Sequence, residues 1–198
     1  MESTKTGNRG PRIALGAAFI VAFLTLAGCS TAAPSPSPTQ TSASPYTIDD
    51  TTGGFAYTDA LSGYAVTFPQ QPDVEPLANN ETDQPAYYAS AELASGEFAS
   101  TGQILNHTPN LQAQVMGMAS SMNPSGQVSA SSYTLGGLDA AHAEFTAGSS
   151  SSIPSDLVGQ PSEIVVAGDG NHFYALIALG GTSDERQAFF DSFKRIDG

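Results

Sequence analysis

The segment that most restricts the fold is the run HFYALIAL at residues 172–179. Phe173 and Ile177 alternate along it with Tyr174 and Leu176, so a strand made of these residues is apolar on both faces. Such a strand belongs inside a sheet rather than at its edge. The turn GDGN at 168–171 joins it to an apolar segment at 164–167, and Asp-Gly between apolar runs indicates a hairpin. The sequence therefore predicts a hairpin whose second arm is a central strand.

Further strands are indicated by short runs of apolar, β-branched and aromatic residues between turn residues. One pair is predicted to meet at Gly136-Gly137, and another at the turn ASGE of residues 94–97. Pro72 and Pro76 predict a loop between two early strands. The predicted strands cover residues 55–57, 64–68, 86–93, 98–105, 128–135, 138–146, 164–167 and 172–179.

Two helices are predicted, one in the middle of this series and one at its end. The first covers 111–122 and has Asn110 as its candidate N-cap. Its apolar residues recur at helical spacing, and its methionines are expected to pack in the core rather than to hold a ligand. The second begins at Thr182, which forms a capping-box pattern with Glu185.

Phe189 and Phe193 are predicted to share one face of this second helix, and Lys194 and Arg195 at its C-terminal end are expected to interact favourably with its dipole. The predicted element order is β-β-β-β-α-β-β-β-β-α. This order predicts the α+β fold class, with an antiparallel sheet and two main helices packed on it.

The first 28 residues have the pattern of a targeting peptide. Lys5, Arg9 and Arg12 precede an apolar run at 13–27, and small residues follow that run. This arrangement is typical of a secretory signal. The run is shorter than the roughly 20 apolar residues of a membrane-spanning helix. It is therefore expected to be cleaved rather than to remain as a permanent membrane span.

The four residues at the expected cleavage point are Leu26, Ala27, Gly28 and Cys29, and they resemble the lipobox of bacterial lipoproteins. The resemblance implies cleavage before Cys29 and attachment of acyl chains such as palmitate. Two or more chains anchor a protein stably. The positive-inside rule then places the chain on the outer face of the cytoplasmic membrane. The alternative is an ordinary secreted protein in which Cys29 merely lies near the cleavage site.

These patterns divide the chain into three parts. Residues 1–28 are the predicted lipoprotein signal peptide, 29–52 a disordered Ser/Thr/Pro-rich tether, and 53–198 a single α+β domain. The tether has almost no large apolar residues, so it cannot offset the entropy cost of ordering. Cys29 is the only cysteine, which excludes a disulfide within the chain.

The charge of the chain excludes one class of partner. The whole sequence has 19 acidic and 6 Lys or Arg residues, and residues 1–28 contain one acid and three of the bases. The remaining chain therefore has 18 acids, 3 bases and a formal charge of −15. Such a surface repels phosphate groups, so no nucleic-acid partner is expected.

Two segments resemble a known group of proteins. GYAVTFP at 63–69 and FYAL at 173–176, followed by FFDSFK at 189–194, are similar to segments of exported actinobacterial lipoproteins with a PsbP-like domain. The resemblance implies a PsbP-like fold for the domain. It also implies a role as a protein-binding or assembly module rather than as an enzyme, and it assigns no functional residue.

The sequence contains little that indicates catalysis. His107, His142 and His172 are not spaced as metal ligands, and zinc needs three or four converging ligands. His142 and Glu144 share one face of a predicted strand and form the only suggestive polar pair, for which the ordinary alternative is an exposed pair on the strand surface. No nucleophile elbow, phosphate-binding loop or dinucleotide fingerprint occurs. We therefore predict no catalytic residue, no metal and no cofactor.

Three functions remain open from the sequence. The first is a lipid-anchored, non-catalytic module that binds an envelope protein. The second is a carrier of a small molecule or lipid, with an apolar cavity between sheet and helices. The third is a hydrolase that uses a serine or His142. The cavity of the carrier would be lined by aromatic residues that are otherwise expected in the core. These residues are Tyr64, Phe68, Tyr87, Tyr88, Phe189 and Phe193.

Overall fold

The computed structural model of the chain describes residues 44–79 and 81–196. The predicted signal peptide, the lipobox with Cys29 and the tether as far as residue 43 lie outside the described residues. The elements are β1 (Tyr46–Thr51), β2 (Gly54–Asp59), β3 (Tyr64–Phe68), β4 (Asp73–Leu77), β5 (Ala86–Glu92), β6 (Gly96–Ile104), α1 (Leu111–Met122), β7 (Ser129–Leu135), β8 (Leu138–Thr146), β9 (Pro161–Asp169), β10 (His172–Gly180), α2 (Ser183–Asp191) and β11 (Lys194–Arg195).

The strands form two antiparallel sheets rather than the single sheet that was expected. The larger sheet has the order β4-β5-β6-β10-β9-β8-β7, and the smaller has the order β1-β2-β3-β11. The predicted central strand is confirmed, because β10 pairs with β6 on one side and with β9 on the other. Every residue of β10 after His172 is buried. The α+β class with two helices is likewise confirmed.

The two faces of the large sheet carry separate apolar cores. On one face, Phe173 and Ile177 of β10 pack in a cluster with Val115 and Met122 of α1. On the other face, Tyr174 and Leu176 belong to a cluster that includes residues of β3 and α2, with Phe189 at its centre. The molecule is therefore layered, with α1 on one side of the large sheet and the small sheet and α2 on the other.

The predicted helix starts are confirmed by their capping contacts. The Asn110 side chain accepts a hydrogen bond from the main-chain N–H of Ala113 at 3.1 Å. Thr182 and Glu185 exchange both bonds of the capping box, at 2.7 and 3.2 Å. Each contact satisfies an N–H group that the helix itself leaves unpaired.

Three strands were missed by the sequence analysis. The predicted tether of 29–52 extends too far, because Tyr46–Thr51 form β1 at the edge of the small sheet. The Tyr46 ring packs on Tyr57 and Tyr87, with centroids 5.9 and 5.4 Å away. These partners lie far along the chain, so the local Thr- and Asp-rich sequence gives no sign of them.

The other two missed strands are β4 and β11. The predicted loop around Pro72 and Pro76 contains β4, which is an edge strand and so tolerates a proline. Lys194 and Arg195 do not cap the helix dipole as expected, because α2 ends at Asp191. They instead form β11, which pairs with β3.

No helix within residues 44–79 and 81–196 is long and apolar enough to cross a membrane.

The two sheets approach closely where β3 faces β6. Tyr64 Oη lies 3.1 Å from Ser100 Oγ, and Tyr174 donates to the carbonyl oxygen of Ser62 at 3.1 Å. A Cβ added at Gly102 would lie 2.5 Å from Ser62 Cβ and 2.7 Å from Tyr64 Cε1. A side chain at this position would therefore force the sheets apart.

We expect Gly102→Ala to lower the free energy of unfolding by about 1–3 kcal/mol, the usual cost of overpacking. Gly117→Ala is the matched control, because no atom lies within 4 Å of a Cβ at this exposed position of α1. It should stabilise the chain by up to about 1 kcal/mol, since alanine favours the helix. Urea denaturation measures both values, and equal effects of the two substitutions would contradict the close approach of the sheets.

Asp59 is a fully buried residue at the end of β2 in the small sheet. Its Oδ1 accepts the main-chain N–H groups of Leu61 and Ser62 at 2.9 and 3.0 Å. Its Oδ2 has no hydrogen-bond partner among the described residues. Burial raises the pKa of Asp59, and the bonds from Ser62 and Leu61 oppose this rise only in part. The folded chain thus holds the Asp59 proton more tightly than the unfolded chain does.

The stability that protonated Asp59 contributes should be lost as the pH rises from about 4, the ordinary value for aspartate, through the raised folded pKa. Asp59→Asn cannot lose that proton. The free energy of unfolding of the wild type, relative to Asp59→Asn, should therefore fall between pH 4 and pH 7. Urea denaturation at several pH values measures this difference in the free energy of unfolding. Asp83→Asn, at an exposed site, is the control. A constant difference would show that burial does not perturb Asp59.

Candidate functional site

A polar cleft lies where β8 ends and β9 begins. It is open to solvent and has a volume of about 560 Å³. The segment after α1 and the second turn of α2 complete its walls. The lining residues are Asn123, Gly126, Gln127, Glu144, Phe145, Thr146, Pro161, Ser162, Glu163 and Arg186.

The pairing of β8 with β9 brings two carboxylates together in this cleft. Glu144 of β8 lies directly opposite Glu163 of β9. His142 lies two residues before Glu144 and so projects from the same face of the sheet. Like charges directly opposite each other on neighbouring strands destabilise a sheet, so this arrangement needs a compensating group.

Arg186 of α2 supplies that compensation. Its Nε donates to Glu163 Oε1 at 2.6 Å, while His142 Nε2 lies 3.1 Å from Glu163 Oε2. The hydrogen bond with His142 lowers the pKa of the Glu163 carboxyl, burial opposes this, and Arg186 lowers it further. Glu163 is therefore an ionised carboxylate at neutral pH, and both of its oxygens have defined partners.

The turn between β10 and α2 fixes the position of Arg186. Gly180 and Gly181 have φ values of +69° and +72°, a region that favours glycine. Their carbonyl oxygens accept hydrogen bonds from Arg186 Nη1 at 3.4 and 2.8 Å. The arginine side chain is thus held back across β9, and only 11% of it is exposed.

Aromatic rings hold His142 in place on the other side. The Tyr133 ring on β7 lies 5.3 Å from the imidazole, and the Phe190 ring on α2 lies 6.5 Å from it. The His142 side chain is 13% exposed. Its ring therefore has little freedom to turn away from Glu163.

The structure supports part of the predicted polar pair. His142 and Glu144 do share one strand face, but the alternative of an exposed surface pair does not describe His142, which is largely buried and bonds to Glu163. Glu163 and Arg186 were not predicted. They lie 21 and 44 positions after His142, and only the strand register and the return of α2 bring them to it.

The other predicted residues lie elsewhere. His107 lies 3.0 Å from Glu81, and His172 stacks on Tyr174. Cys29, Leu26, Ala27 and Gly28 lie outside the described residues.

The aromatic residues that were considered as cavity lining are packed against one another or against other core residues. The Phe189 ring lies 5.2 Å from Phe68 and 5.3 Å from Phe98, and Tyr64 stacks on Phe193 at 5.9 Å. The expectation that they serve as core is met by all of them except Tyr87, which is only partly buried and packs on Tyr46. The cleft contains instead two carboxylates, a guanidinium, two amides and two hydroxyls, which are groups that bind polar or charged ligands.

The His142–Glu163 pair has the geometry of an oriented imidazole, as in a catalytic base and its positioning carboxylate. The neighbouring Ser131 hydroxyl does not extend this pair, because it donates to the main-chain carbonyl oxygen of His142 at 3.5 Å. The three side chains of His142, Glu144 and Glu163 offer one ligand atom each, and these atoms lie within 4.8 Å of one another.

No known protein family and no curated protein matches this chain. Among solved structures, it is similar to a cyanobacterial PsbP (CyanoP) from Synechocystis sp. PCC 6803, with 10% identity and a TM-score of 0.41, over 81% of this chain and 98% of that one.

A second similar structure is that of a protein from Bacteroides thetaiotaomicron VPI-5482, with 14% identity and a TM-score of 0.38. The match covers 68% of this chain and 46% of that protein, so this chain spans about half of its length. Scores this low carry no inference about function.

Removing the charge of Arg186 should leave two facing carboxylates with only His142 as a partner. We expect Arg186→Met to lower the free energy of unfolding by about 3 kcal/mol at pH 7, as breaking a mostly buried ion pair does. Lys194→Met makes the same change at an exposed site and should stay within about 0.5 kcal/mol of the wild type.

The difference between wild type and Arg186→Met should shrink in acid. Because the folded pKa of Glu163 is lowered, its contribution is complete above the ordinary glutamate value of about 4.3 and disappears as the pH falls through the folded value. Denaturation at pH 7 and at about pH 3 tests both statements. An unchanged difference at the two pH values would show that the ion pair is not its source.

Proposed function

We propose that this chain is a lipid-anchored extracytoplasmic module that binds a protein partner of the cell envelope through the polar cleft, without catalysing a reaction. The observation that carries the proposal is the fixed pairing of Glu163 with Arg186, beside exposed Glu144, on the wall of an open cleft.

The fixed positions of Glu163 and Arg186 favour a role in binding. Arg186 is held by the carbonyl groups of Gly180 and Gly181, and Glu163 is held by Arg186 and His142. Groups that are ordered before a partner arrives lose little entropy when it binds. An open cleft of this size can accept a side chain or a loop that protrudes from another protein.

The sequence supports the proposed location. The lipobox resemblance puts an anchor at Cys29, and β1 begins at Tyr46. The segment between them is rich in proline and, when extended at about 3.1 Å per residue, would reach roughly 50 Å. The folded domain would then stand clear of the lipid headgroups and could meet other envelope proteins.

The charge of the chain indicates the chemistry of the partner. With a formal charge of −15 after removal of residues 1–28, the domain would attract a protein with a basic face and repel acidic ones. Exposed Glu144 in the cleft offers a contact for a lysine or arginine of that partner.

Affinity capture of the tagged chain in its host after mild crosslinking tests this function. We expect a specific partner with the wild type and its loss with Cys29→Ala, which removes the anchor. Gln127→Trp places a large ring in the cleft from an exposed position and should reduce recovery of the partner at least tenfold while the chain remains anchored.

Gln71→Trp is the matched control, because it adds the same ring at an exposed position between β3 and β4, away from the cleft. It should leave the partner in place. If Gln127→Trp and Gln71→Trp captured the same partner equally well, the cleft would not be the binding site. If Cys29→Ala captured it as well as the wild type, the anchor would play no part in binding.

A further inference from the structure

We propose that His142, Glu144 and Glu163 bind one divalent transition-metal cation, such as Zn²⁺ or Mn²⁺, on the wall of the cleft. This site would exist whether or not the cleft docks a protein, so it goes beyond the binding function proposed above. It rests on three donor atoms from two neighbouring strands that lie within 4.8 Å of one another.

The spacing of the donors is close to what a metal ion needs. Bonds of about 2.0–2.2 Å to nitrogen and oxygen place tetrahedral ligands roughly 3.5 Å apart. His142 Nε2 and Glu163 Oε2 already lie 3.1 Å apart. Glu144 is the exposed member of the three, and rotation of its side chain can bring its carboxylate to the distance that a metal ion needs.

Arg186 prepares Glu163 for this role. It bonds to Oε1 and thereby directs Oε2 toward His142. Carboxylates that ligate metals are commonly oriented by a hydrogen bond to the other oxygen in this way. The positive charge of Arg186 reduces the attraction for a second cation, so the site should bind less tightly than one built from two free carboxylates.

The facing glutamates give an electrostatic reason for a cation. Glu144 and Glu163 are direct neighbours across β8 and β9, and Arg186 pairs with Glu163 only. A cation between the two carboxylates would relieve the remaining repulsion. Three protein ligands with an open cleft on the fourth side leave room for water or a partner's side chain.

The donor set selects the class of metal. One imidazole nitrogen with two carboxylates suits Zn²⁺ and Mn²⁺, whereas Ca²⁺ and Mg²⁺ favour sets made of oxygen alone. A thiolate is not among the donors, which argues against Cu⁺.

Isothermal titration calorimetry with Zn²⁺ on the full-length chain in detergent tests the site. Excess Mg²⁺ and about 0.15 M salt suppress loose binding to the acidic surface. We expect one equivalent to bind to the wild type and Glu144→Gln to weaken it at least tenfold. Asp139→Asn removes an exposed carboxylate from the same strand and should leave the affinity unchanged.

Co²⁺ provides a second readout, because its visible d–d absorption reports the coordination number and geometry of the bound ion. The wild type and Asp139→Asn should develop the same spectrum, and Glu144→Gln should need much more Co²⁺ to reach it. Equal Zn²⁺ affinity of Glu144→Gln and the wild type would place binding elsewhere and overturn the proposal. So would the absence of saturable binding to the wild type. Neither result bears on whether the cleft captures a protein partner.

Discussion

The burial of β10 on both faces is the constraint on which the rest of the structure depends. Its residues are apolar in both directions, so each face of the large sheet needs its own cover. Helix α1, with Ile153 and Leu157 of the segment between β8 and β9, covers one face, while α2 and the small sheet cover the other. The small sheet can approach closely because Gly102 has no side chain where Ser62 and Tyr64 pack. The layered arrangement follows from the need to remove a single strand from water on both sides.

The candidate site is a consequence of the way the chain covers this sheet. At the end of β10, two glycines with positive φ turn the chain, and α2 begins directly after them with its capping box. This tight return places Arg186 over β9, where Glu163 lies opposite Glu144. The charged cluster therefore lies at the rim of the second core, and Arg186 comes from the same helix that contributes Phe189 and Phe190 to that core.

The sequence was informative where a pattern is local and failed where a partner is distant. Asn110, Thr182 and the Gly136-Gly137 turn could be recognised because caps and turns involve residues a few positions apart. Strand β1 could not, since Tyr46 is stabilised by rings of other strands. For the site, alternation along a strand paired His142 with Glu144. Glu163 and Arg186 could not be predicted as members of the site, because no local pattern specifies strand register or the path of a helix across a sheet.

The alternation of β10 also has a consequence for thermodynamic coupling. Ile177 and Leu176 are neighbours in the chain, yet their side chains belong to clusters on opposite faces of one sheet. Effects on stability add when two sites share no partners and interact when they do. Truncating one side chain in the α1 layer and one in the α2 layer should therefore lower the free energy of unfolding by additive amounts. Two truncations of contacting side chains within one layer should not be additive. The large sheet separates the two cores, so side chains in one core can change without repacking of the other.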